Sequence, residues 1–160
     1  MAILLYHFCH WALNSYVGHG VRDSVWLFPA IEICHLLGLG ILGGCILLLN
    51  FRLLGWRFTG GPVSELAQDV QPLMIGSVIV MLVSGFFLFA SEAVKMYGNI
   101  AFRYKMVSLA LAILFTFTIY RKVTMSDDTE LSWLWKWTVV VLSFVLWAGV
   151  GVAGRAIGYV

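Results

Sequence analysis

The sequence predicts an all-α integral membrane protein, a bundle of four transmembrane helices with an N-terminal amphipathic helix lying in the interface. Three observations carry that prediction. Only 11% of the 160 residues are charged and 61% are hydrophobic, against about 25% and 45–50% in a soluble domain; the polar residues are too few to cover a water-facing surface. Four stretches reach the roughly 20 mostly apolar residues that a spanning helix needs. The segments between them are short and polar, and the length suits a single domain, residues 1–160. The same composition excludes a cytosolic globular enzyme, a disordered tail and a nucleic-acid binder. Ten Lys+Arg against eight Asp+Glu leave no polybasic field. Three cysteines without zinc-type spacing imply no disulfide framework.

The N-terminal run MAILLYHFCHWALNSYV predicts the interfacial helix, over about residues 3–17. His7, His10 and Asn14 recur at helical spacing, and Leu4, Leu5, Phe8, Trp11 and Ala12 fall largely between them. The run has no basic leader and no small-residue cleavage site, so no signal peptide is expected. Gly18 and Gly20 are expected to break the helix, and Arg22-Asp23-Ser24 leads into the first span, about 24–51, with the core ICHLLGLGILGGCILLL. Pro29 sits in its early turns, where a proline is tolerated.

The second span is predicted over about 71–93, the third over about 100–120 and the fourth over about 133–156. Short buried strands are excluded by the length of these apolar runs. The connection over 52–70 contains Gly60-Gly61-Pro62 and then Ser64-Glu65, a plausible helix start. Residues 91–99 suggest a tight turn with Gly98-Asn99, and 121–132 carry Asp127-Asp128 and Glu130. Trp133, Trp135 and Trp137 open the fourth span at the level where Trp favours the headgroups.

Orientation follows from Lys and Arg. The side holding the first and third loops carries Arg52, Arg57, Arg121, Lys122 and Lys136; the other carries Arg22, Lys95, Arg103, Lys105 and Arg155. Arg103, Lys105 and Arg155 lie within or at the edge of apolar spans. Discounting them makes the loop side cytoplasmic and puts both termini outside, periplasmic in a bacterial inner membrane.

The string G-x-G-x-x-G occurs twice, from Gly38 in span one and from Gly149 in span four. A dinucleotide fingerprint needs a strand before it and a helix after it, so that reading is rejected inside an apolar helix. Close helix packing or room for a planar cofactor remain.

An ionisable side chain near the bilayer centre costs roughly 2.5–3.5 kcal/mol on insertion scales, so each one needs a reason. Glu32 and His35 stand three apart in span one, on one helix face. Counting from Ser24, His35 lies roughly 16 Å deep. Lys105 lies roughly 8 Å deep in span three, entering from the same side. Glu92 and Arg155 end their spans there, and His7 and His10 lie on that side too. These residues admit three readings. The carboxylates could pair with Lys105, Arg103 or Arg155, leaving a small structural subunit of a larger complex. His35 could be an axial ligand to the iron of haem b, as a neutral imidazole commonly is, with Lys105, His10 or His7 as the second ligand. Arg103 and Arg155 would then hold propionates, and Glu32 would tune His35 or pass protons. Alternatively His7, Cys9, His10, Cys34 and the methionines Met74, Met81, Met96 and Met106 could handle copper, which Cys, His and Met donors select. Cys45 reads as packing.

The segments WLFPAIEICHLLGLGILGG and LNFRLLG, with FRYK at Phe102–Lys105, resemble an uncharacterised family of small bacterial inner-membrane proteins over about Val25 to Tyr120. This chain has Asn50-Phe51 where that pattern has Asp-Leu before the arginine. The arrangement is more distantly similar to copper-resistance D type membrane proteins and to the haem-containing J-type protoporphyrinogen oxidase. The latter resemblance implies His35 and Lys105 around one haem b, by analogy of placement. The function expected is electron transfer or a membrane redox reaction, with quinol or a periplasmic redox protein as partner. The glycine faces permit a homo-oligomer.

Overall fold

The computed structural model describes residues 2–56, 61–126 and 132–159. Arg57, Gly60, Asp127, Asp128 and Glu130, and the side chains of Leu4 and Leu5, lie outside the described residues. Among the described residues every regular element is helical. Two short helices, α1 (Ala2–Leu13) and α2 (Tyr16–Asp23), precede α3 (Leu27–Leu53) and α4 (Val63–Ser91). The short α5 (Ala93–Gly98) leads into α6 (Ile100–Phe115), which continues through a π-helical segment, Thr116–Tyr120, into α7 (Arg121–Thr124); α8 (Trp133–Ala156) follows. Four helices are long and apolar enough to cross a membrane: Leu27–Leu53, Val63–Ser91, Ile100–Thr124 and Trp133–Ala156. The chain is a multi-pass membrane protein. Only 22–28% of each apolar window is buried within the chain, so most of the span surface is left to lipid.

The spans pair in chain order, α3 along α4 and α6 along α8. The two pairs meet over a thinner seam, chiefly α3 against α8 and α4 against α7. Leu42, Ile46 and Leu49 of α3 pack there with Val78 and Met81 of α4, Phe115 of α6 and Val139 and Val140 of α8. Cys45 is buried in the same core, as its packing role anticipates.

The helix ends follow from local chemistry. Ser24 Oγ accepts the Leu27 amide at 3.1 Å, and Asn99 Oδ1 accepts that of Phe102 at 3.1 Å, the N-cap of α6. Gly61, at φ +107°, turns the chain into Pro62 and Val63. Thus α4 starts two turns before the predicted span. A hydropathy reading finds only the apolar part, whereas Val63 and Ala67 already face the core while Glu65, Gln68 and Asp69 face out. Trp133, Trp135 and Trp137 are exposed at the start of α8, at the expected level.

The N-terminal arm departs from the sequence reading. It is two helices, and the break falls at Asn14-Ser15. Ser15 Oγ donates to the Ala12 carbonyl (2.6 Å) and accepts from the Gly18 amide (3.1 Å), ending one helix and capping the next. Gly18 does not break a helix; it lets α2 pass close to other backbone. A Cβ there would stand 2.6 Å from the carbonyl oxygens of Ala12 and Leu13 and 2.9 Å from that of Ala90. The expected turn over 91–99 contains α5, whose fully buried Ala93 packs with Cys9 and Ala12 under Phe89 and Tyr97. Phe8 stacks on Phe89, ring centroids 6.4 Å apart, and Tyr6 meets Tyr97 edge-on at 5.8 Å.

Burial under this arm pushes the Cys9 thiol above its ordinary pKa. The folded state therefore holds the proton more tightly, and the docked arm loses stability as pH rises through the ordinary thiol range. Iodoacetamide is expected to label Cys9 at least about ten times more slowly than a free thiol at pH 7.5, because the thiolate is the reacting form. The gap should narrow as pH rises; mass spectrometry of timed samples measures it.

Candidate functional site

His35 stands two turns into α3, roughly 12 Å along the helix from Leu27. Its imidazole turns toward α4, where Nδ1 lies 2.9 Å from Ser84 Oγ. The Ser84 hydroxyl hydrogen is already committed, because Oγ donates to the Val80 carbonyl at 2.6 Å. Ser84 can therefore only accept from the ring, which fixes the proton of a neutral imidazole on Nδ1. Nε2 is left with its lone pair, the state a metal-ligating histidine needs. Gly85 makes room for the ring: a Cβ there would lie 3.2 Å from His35 Cε1. Gly38, below it on α3, lets the two helices close, since its Cβ position is 3.1 Å from Met81 Cγ.

Lys105 belongs to the other helix pair. Its stem lies against α8 at Gly154, whose Cβ would be 3.6 Å from both Cε and Nζ. Gly149, one turn and a half earlier, gives the same room to Ser108. Lys105 is half-buried and makes no hydrogen bond or ion pair among the described residues. His35 and Lys105 line one cleft in the seam between the pairs, with Met81, Leu109, Trp147 and Val150 among its walls. The cleft holds about 320 Å³ of empty space, its open mouth included. That is the low end for ligand pockets.

The other predicted residues are placed elsewhere. Glu32 and Cys34 are exposed on the outer surface of α3; the spacing that puts Glu32 near His35 does not turn it inward. Among the described residues the expected carboxylate pairs with Lys105, Arg103 or Arg155 do not form. Glu92 meets Lys95 of the next turn at 3.5 Å. Arg103 donates to the Tyr97 carbonyl (3.2 Å) and Arg155 to Tyr159 Oη (3.3 Å), both exposed at the cleft's end of the bundle. His10 lies half-buried on α1, its ring 4.6 Å from that of Tyr6, and His7 is exposed; neither lines the cleft. Cys9 is buried under α5, apart from Cys34. No three His, Cys, Asp or Glu side chains come together as a metal site among the described residues. Met74 and Met96 are buried in packing and Met106 is exposed, whereas Met81 is in the cleft. Of the glycines, Gly38, Gly149 and Gly154 make inter-helix room, while Gly40, Gly43, Gly44 and Gly151 face open space.

Sequence reasoning missed Ser84, Gly85 and Met81. Ser84-Gly85 is a small polar pair in an otherwise bulky apolar span, a signal that could have marked where a ring approaches α4.

A fit test for a porphyrin gives two answers. The donor chemistry suits it: an imidazole with a free Nε2, an unpaired amine and a thioether line one apolar cleft. The space suits one ring, not four joined pyrroles, so a macrocycle enters only if the two helix pairs part along their seam.

No curated protein and no solved structure matches the chain. A family model described as a family of unknown function (DUF6644) matches residues 8–160, nearly the whole length.

Proposed function

The chain belongs to that family of unknown function, and we propose that it is a haem b-binding membrane protein taking part in electron transfer or a membrane redox reaction. The observation that carries this reading is the fixed tautomer of His35, with Nε2 unprotonated beside Lys105 in an apolar cleft. Haem bound there would supply one-electron chemistry. The chain's own part is to hold the imidazole through Ser84, to keep Gly85, Gly149 and Gly154 low around the cleft, and to offer Lys105 or Met81 on the other side. Arg103 and Arg155 stand at the correct end of the bundle to meet propionates by a change of rotamer. The likeness of placement to the J-type protoporphyrinogen oxidase points the same way, as analogy. The reading includes a bacterial inner membrane, both termini on the periplasmic side, and a quinol or periplasmic redox protein as partner. Copper handling draws no support from the dispersed His7, Cys9, His10 and Cys34.

Protein expressed with iron and haem precursors and purified in detergent is expected to show a Soret band and a reduced-minus-oxidised α band. Their absence, with haem supplied, overturns the proposal. Ser84→Ala is expected to weaken haem binding by about 10–100-fold, the usual effect of removing the outer partner of a ligating imidazole. Titration of haem into the apo-protein reads that difference.

A further inference from the structure

The seam between the helix pairs has a second opening, toward the other membrane face. It is a groove of about 320 Å³, mouth included, between α4 and the π segment with α7. Leu49, Met74, Phe117 and Met125 give it apolar walls, with Gln71 and Tyr120 among its polar groups. The π segment is marked by the Arg121 amide bonding back to the Thr116 carbonyl, five residues earlier. Such segments concentrate at functional sites. Here it points Tyr120 into α3, where Oη donates to Asn50 Oδ1 at 2.8 Å.

The pair is rich in donors. Tyr120 is 2% exposed and Asn50 0%, and the Asn50 amide nitrogen has no acceptor among the described residues. A buried donor left unmet costs about 1–3 kcal/mol. Together the two side chains hold three polar hydrogens, and only the phenol's is used. One more acceptor at the phenol resolves this. If Tyr120 turns its hydrogen into the groove, the Asn50 amide can rotate and donate to Oη in its place. What the groove lacks is therefore a hydrogen-bond acceptor. An anion would sit unfavourably against Leu49, Met74 and Phe117; a neutral carbonyl would not. The volume suits one ring, and the groove lies between spanning helices, so the ligand arrives from the bilayer.

We propose that this groove binds a quinone headgroup, one carbonyl accepting from Tyr120 with Asn50 donating behind it. The site is separate from the His35 cleft: along α3 their floor residues, Leu42 and Leu49, stand seven apart, roughly 10 Å. Its test does not depend on haem.

A short-chain ubiquinone titrated into the purified protein, followed by tryptophan quenching, is expected to bind saturably. Tyr120→Phe keeps the ring's packing and should weaken binding roughly ten-fold, as one buried hydrogen bond does; Asn50→Leu should weaken it similarly. Unchanged elution of both variants on size exclusion shows that they fold. Where a variant does not fold, competition between the quinone and a ring of the same shape without carbonyls, on the wild type, decides: preference for the quinone supports the proposal. Equal binding of the two compounds, equal affinity in folded variants, or no saturable binding to the wild type overturns it. Displacement of the quinone by an anionic phospholipid, in a manner lost with Arg121→Gln, would assign the groove to a lipid headgroup and also overturn it.

Discussion

Replacing His35 with alanine is expected to remove at least about nine-tenths of the haem absorbance while leaving the fold intact. His35 is the imidazole that lines the cleft, and a neutral imidazole is the commonest protein ligand to haem iron. Neither Lys105 nor Met81 alone replaces it, since an amine at neutral pH must first lose a proton and a lone thioether is a weak ligand. The fold should survive because the lost interaction is one side-chain hydrogen bond. Ser84 keeps its bond to the Val80 carbonyl, so no buried hydroxyl is orphaned and the cost is about 1 kcal/mol. The pyridine haemochrome assay on detergent-purified protein, beside its elution profile, gives both readings. Full retention of haem by a well-folded His35→Ala protein would move the ligand elsewhere and leave the cleft without its assigned role.

Gly18→Ala is expected to unseat the N-terminal arm. Three backbone carbonyl oxygens lie within 2.9 Å of the Cβ that alanine would add. Backbone cannot swing aside as a side chain can, so α2 must move off α1 and off the end of α4. Overpacking of this kind costs about 1–3 kcal/mol, which corresponds to roughly a five- to hundred-fold rise in the open population. Arg22 lies in the last turn of α2, so trypsin cleavage after it reports the opening. Gly20→Ala is the matched control: no atom lies within 4 Å of its Cβ position, and alanine is the better helix former by about 1 kcal/mol. Equal cleavage of the Gly18 and Gly20 variants would mean that the close approach does not hold the arm down.

The four spans were legible because length and hydropathy are properties of a single segment. The fourth, over 133–156, has the predicted limits. The second does not, because the first two turns of α4 are amphipathic and meet the core through Val63 and Ala67. The break in the arm was misread for a related reason. Glycine's low helix propensity suggested a stop, but Gly18 is set by its distance to α4, which no local pattern contains. In the cleft, depth counting brought His35 and Lys105 to one half of the membrane, and they line one cavity. Direction was beyond it: three residues along a helix leave about 60° between Glu32 and His35, enough for one to face α4 and the other the outside. The π segment had no signal of its own, since what makes it useful is the reach of Tyr120 to a residue 70 positions earlier.

That segment also makes the length of the third span a structural quantity in its own right. A π turn accommodates a surplus residue that an α-helix of equal rise would not hold. Deleting a single codon between Thr116 and Tyr120 would let the helix revert to regular winding, and everything after it would rotate by about 100°. The phenol would swing away from the asparagine, and Val123 and Thr124, now buried, would be carried toward the outside. Surface loops absorb insertions and deletions freely, whereas this stretch behaves as a ratchet tooth: substitutions within it can be gradual, but a change in its count of residues resets the lower half of the bundle in one step.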